Sequence, residues 1–126
     1  MVNRSELSRR EREIMDILYS VEEASVKQIQ AKLLDPPTDM AVRRMLHILD
    51  EKGLLKRRKN GREVIYSPRK SKKRAGMSAL KHVLDTFFDG SVDKALAAHL
   101  ASKEAVSNEQ LSRLQELIEK AREEGQ

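Results

Sequence analysis

The sequence predicts a mainly α protein in two parts: three helices closed by a small β-hairpin over residues 1–74, then a helical unit over 75–126. Three observations carry this. Apolar residues recur with a period near 3.6 in both parts. Three capping-box pairs mark helix starts. Asn60-Gly61 separates two short strand-like runs, a strong hairpin signal.

Ser8 followed by Glu11 opens the first helix, and Ile14, Met15 and Leu18 form its apolar stripe. Ala24-Ser25-Val26 reads as a short strand or a turn. Ser25 with Gln28 repeats the capping pattern, and Val26, Ile29 and Leu33 turn inward on a second helix. Pro36-Pro37 cannot continue it.

Thr38 then caps a third helix of about residues 38–52. Val42, Met45, Leu46 and Leu49 form its apolar face, with Ala41 beside them. Met40, Arg43, Arg44 and His47 occupy the opposite face. Gly53 is placed to end the helix in a left-handed conformation. Leu54 to Lys59 and Arg62 to Tyr66 read as strands, with both residues of Asn60-Gly61 at positive φ. Pro68 stops the second strand, giving a hairpin of about 55–68.

In the C-terminal part, Met77, Leu80, Val83, Leu84, Phe87 and Phe88 share a helical spacing. Gly90 breaks this run and Ser91 caps the next, where Val92, Ala95, Leu96 and Leu100 line one face. Ser107 with Gln110 opens a last helix carrying Leu111, Leu114, Leu117, Ile118 and Ala121. Three helices of about 12–17 residues cannot bury much surface alone. Either these stripes meet a second copy, making the unit a dimerisation domain, or they fold back on the N-terminal unit. The deficit of core favours the dimer.

Charge is divided unevenly. Residues 1–74 hold 19 Lys+Arg against 11 Asp+Glu, net +8, and residues 75–126 hold 6 against 9, net −3. Within 56–74 there are 10 basic residues and one acidic residue, Glu63. A basic half suits a polyanion. A helix that fits the major groove, beside a basic β-ribbon, is a geometry for gripping double-stranded DNA. Met40, Arg43, Arg44 and His47 are the candidates for base edges, and Thr38, Arg57, Arg58, Lys59 and Arg62 for phosphates. The alternative is a protein-interaction module whose hairpin docks an acidic partner.

Other classes recede. The chain has no cysteine, which removes disulfides and thiolate zinc sites. His47, His82 and His99 show no ligand pairing, and neither a metal nor another cofactor is expected. No Gly-rich phosphate loop, carboxylate pair or nucleophile triad marks an enzyme. No apolar run approaches the roughly 20 residues needed to span a bilayer, and the N-terminus lacks a signal-peptide core. A cytoplasmic protein without membrane insertion is expected.

The order of helix, helix, recognition helix and hairpin is that of a winged helix-turn-helix. Three blocks, LSRREREIMDILYS, ASVKQIQAKL and AVRRMLHILDEKGLLKRRKNGREVIYSP, resemble the penicillinase-repressor family of bacterial transcriptional repressors. The likeness runs from about Leu7 to the last helix, and the third block is its most specific part. Tyr19 stands where the family usually has Trp. The resemblance implies a homodimer on a palindromic operator. It also raises a membrane metallopeptidase as the partner that relieves repression, the alternative being a ligand in the dimer domain.

Three departures from the family pattern bear on function. Ala41 and Arg44 stand where members often carry Thr, so the operator need not be the family's usual one. The cleavage-equivalent bond falls at His99-Leu100, where β-lactam-responsive members have Asn-Phe. The cysteine-rich tail of copper-responsive relatives is absent.

Overall fold

The structure is a computed structural model, and it describes residues 6–103 and 106–125. The chain divides into two compact units, Met1–Ala79 and Leu80–Gln126. The boundary lies within a helix.

In the first unit the order is α1 (Arg9–Val21), β1 (Ala24–Ser25), α2 (Val26–Lys32), α3 (Asp39–Glu51), β2 (Leu55–Asn60) and β3 (Glu63–Pro68). Helix α4 (Lys72–Phe87) follows, then α5 (Val92–Ala101) and α6 (Asn108–Glu124). Helix starts follow side-chain chemistry. Capping boxes form at Ser8/Glu11, Ser25/Gln28 and Ser107/Gln110. Thr38 and Ser91 accept from the backbone N–H three residues on. Each cap satisfies a donor that the first helical turn would leave open.

The three strands form one antiparallel sheet in the order β1-β3-β2. Two-residue β1 pairs Ala24 with Tyr66 and Ser25 with Ile65. The hairpin pairs Leu55 with Pro68 through to Asn60 with Glu63. Its connection is therefore Gly61-Arg62, one residue later than the sequence reading. Gly61 has φ +66°, whereas Asn60 and Arg62 have no positive φ. Positive φ at the first turn position alone is the pattern of a II′ turn, so Asn60 is free to end the strand. Gly53 does adopt φ +79°, just past Lys52 at the end of α3.

The core lies among α1, α2, α3 and the sheet. Ile14, Leu18, Ile29, Val42, Leu46, Leu49 and Leu55 are fully buried, and Leu7, Met15, Ala24, Val26, Leu33 and Tyr66 complete the cluster. All three apolar stripes expected of α1–α3 thus converge, with Met45 half-buried at the margin.

Helices α4, α5 and α6 contain no buried residue. Helix α5 has 10 residues, shorter than the expected length. Its Phe87–Val92 approach turns on Asp89 and Gly90, both at positive φ.

Candidate nucleic-acid interface

Helix α3 is fixed by its neighbours at both ends. Ahead of it, Arg10 of α1 donates to the carbonyls of Leu34 and Asp35, the latter at 2.8 Å. Glu13 accepts from the Leu34 N–H at 2.9 Å. Gln30 donates to the Pro37 carbonyl at 2.8 Å. These bonds hold the turn in which Asp35 has φ +46°. Behind it, Lys52 Nζ reaches 3.0 Å from Glu11 Oε1. Burial disfavours the charged Glu11 carboxylate. The hydrogen bond from Lys52 and the backbone N–H of Ser8 outweigh that and set its pKa below the ordinary value. Sequence reasoning found Glu11 as a cap and missed its second role. No local pattern joins residues 11 and 52.

Between these anchors α3 presents its polar face. Met40, Arg43, Arg44 and His47 are all exposed, as expected from the spacing. They differ in their partners. Arg43 pairs with Asp39, whose hydrogen bond and charge raise the pKa of the guanidinium. His47 Nε2 lies 2.6 Å from Glu51 Oε1. Arg44 has no ion pair or side-chain hydrogen bond among the described residues. Thr38 is exposed, and its oxygen accepts from the Ala41 N–H at 3.2 Å.

The hairpin carries the second row of charge. Residues 56–60 of β2 and residues 61–63 are all exposed. Arg57 Nε lies 3.4 Å from Asp50 Oδ2 of α3, and Arg58 donates to Glu23 at 2.9 Å. Two of the expected phosphate ligands therefore also brace the hairpin against the helical body. Lys59 and Arg62 have no such partner among the described residues. Beyond β3, Arg69 closes the hairpin base with bonds from its N–H to Leu54 O and from Nε to Leu55 O, each 3.0 Å. The face is a charged helix beside a charged ribbon, with backbone geometry set from behind. It can offer side-chain donors from the helix to base edges and cations from the ribbon to phosphates.

The second unit offers a different surface. Phe87 is 71 % exposed and Leu117 61 % exposed. Leu80, Leu100, Leu111 and Ile118 are also exposed, while Leu84, Phe88, Leu96 and Leu114 are half-buried. The His99-Leu100 bond lies in α5, with both residues exposed. No group of three or more His, Asp or Glu among the described residues could hold a metal ion. No helix among them is long and apolar enough to cross a membrane.

A family model described as penicillinase repressor matches residues 7–120. No curated protein matches the chain. Among solved structures, a ZitR variant from Lactococcus lactis is similar at 20 % identity and TM-score 0.53, over 100 % of this chain and 83 % of that one. A possible transcriptional regulator for arsenical resistance is similar at 23 % identity and TM-score 0.45, over 75 % of this chain and 91 % of that one.

Proposed function

The chain belongs to the penicillinase repressor family, and on that premise we propose a dimeric DNA-binding repressor that occupies a palindromic operator. One observation carries the reading: exposed cations of α3 and of the hairpin lie on elements tied together by the Arg57–Asp50 pair. Residues 1–74 form the DNA-binding domain, with α3 in the major groove and the wing on the backbone. Residues 75–126 form the dimerisation domain, because no residue of α4, α5 or α6 is fully buried and their apolar stripes stay half-buried or exposed. Two-fold symmetry would set the two copies of α3 roughly 34–36 Å apart, one turn of B-DNA.

Repression ends by cleavage in the dimerisation domain or by a ligand bound there. For cleavage, a membrane metallopeptidase is the partner, acting in the cytoplasm. His99-Leu100 supplies neither Asn nor Phe at the equivalent bond, so such a peptidase would recognise a different pair. A gel-shift assay on promoter fragments at low salt tests the core of the proposal. The repressor should form a discrete complex that weakens steeply with salt. Absence of any complex, including with its own promoter, would sink it and leave docking to an acidic protein as the better reading.

A further inference from the structure

We propose that Arg44 and Met40 alone read bases from α3, Arg44 taking a guanine and Met40 the methyl group of a nearby thymine, while Arg43 serves the backbone. This rests on the DNA-binding reading above and sharpens it. Helix geometry separates the candidates first. At about 100° per residue, Arg44 and Met40 point within about 30° of the direction opposite the Val42–Leu46–Leu49 stripe, whereas Arg43 points about 90° away from it. A helix seated in the groove turns its outward stripe to the base edges and its flanks to the two backbones.

Partners separate them again. Arg43 sits on the flank already paired with Asp39. His47 lies on the outward side, but Glu51 occupies its Nε2. Arg44 is the one cation of this helix with no side-chain partner among the described residues. Its guanidinium fork is free to donate both bonds to O6 and N7 of guanine. Met40 is 80 % exposed, one turn earlier on the same stripe. Its thioether cannot donate a hydrogen bond, and the apolar feature of the major groove is the thymine methyl. Four residues of helix span about 6 Å, so the thymine should lie within about two base pairs of the guanine.

Selection from a randomised duplex library with the full chain tests this. The wild type should enrich a palindrome with one dominant guanine per half-site. Arg44→Ala should lose that guanine and bind the wild-type sequence more weakly by about 5- to 150-fold per half-site, and by the square of that factor for the dimer. Arg43→Ala should keep the guanine and weaken all duplexes alike. Exchanging the neighbouring thymine for uracil, which lacks the methyl, should weaken the wild type and leave Met40→Ala indifferent. All three side chains are exposed, so thermal unfolding should stay unchanged. If Arg44→Ala enriches the wild-type sequence, or Arg43→Ala loses the guanine, the assignment is overturned. Equal response of wild type and Met40→Ala to uracil overturns the thymine half. Enrichment of no sequence by the wild type would instead bring down the operator-binding reading itself.

Discussion

Lys52 donates to Oε1 of Glu11, the oxygen that also accepts the backbone N–H of Ser8. One carboxylate thus caps α1 and holds the far end of α3. Lys52→Met should destabilise the fold by about 1–3 kcal/mol, because Glu11 stays 8 % exposed with its cation gone. Urea unfolding at fixed protein concentration measures this, since the proposed dimerisation would add a concentration term. An unchanged midpoint would show that the pair is idle.

The same pair gives a pH dependence. The Glu11 pKa is lowered on folding from its ordinary 4.5. Its stabilisation is therefore complete above that value and is lost as pH falls through the lower folded value. Acid titration of stability should be shallower in Lys52→Met than in the wild type through this window. Parallel curves would argue that Lys52 does not hold the shift.

Cations of the wing should separate by their partners. Lys59→Ala or Arg62→Ala should each reduce the salt slope of DNA binding by about two, one contact from each subunit of the proposed dimer. Arg58→Ala should reduce it by less, because Glu23 already balances part of its charge. Fluorescence anisotropy across a salt series reads all three. A larger change for Arg58 than for Lys59 would reverse the assignment.

The hairpin offers a backbone test. Gly61→Ala should cost about 1 kcal/mol through its positive φ, with no clash to add, since nothing lies within 4 Å of a new Cβ. Asn60→Ala should cost much less, because Asn60 belongs to the strand. Thermal melts compare the two. A reversed order would return the turn to Asn60-Gly61.

Assembly can be tested on strongly exposed apolar positions of α4 and α6. Phe87→Glu combined with Leu117→Glu should convert a dimer to a monomer in sedimentation equilibrium and weaken operator binding. A double variant that still sediments as a dimer would place the contact elsewhere.

Local chemistry was legible in the sequence. The Ser8, Ser25, Thr38 and Ser107 caps, the stripe of α3 and the hairpin all follow from residue type and spacing. What escaped was contact between distant segments. Nothing in the spacing marks Arg10 as the holder of the turn at Leu34-Asp35, or Glu23 as the partner of Arg58. Two-residue β1 has no period to detect; it becomes a strand only because β3 lies alongside. The face of α3 was visible from its pattern, but the Asp39 and Glu51 pairs that separate Arg44 from its neighbours depend on side-chain geometry.

The sheet order β1-β3-β2 leaves β2 with a neighbour on one side only. An open strand edge invites pairing with any extended chain, and proteins guard such edges with charge. Four consecutive cations, Lys56 to Lys59, occupy this one. In two chains meeting edge to edge they would repel each other, so the wing is protected against aggregation whenever no polyanion lies across it.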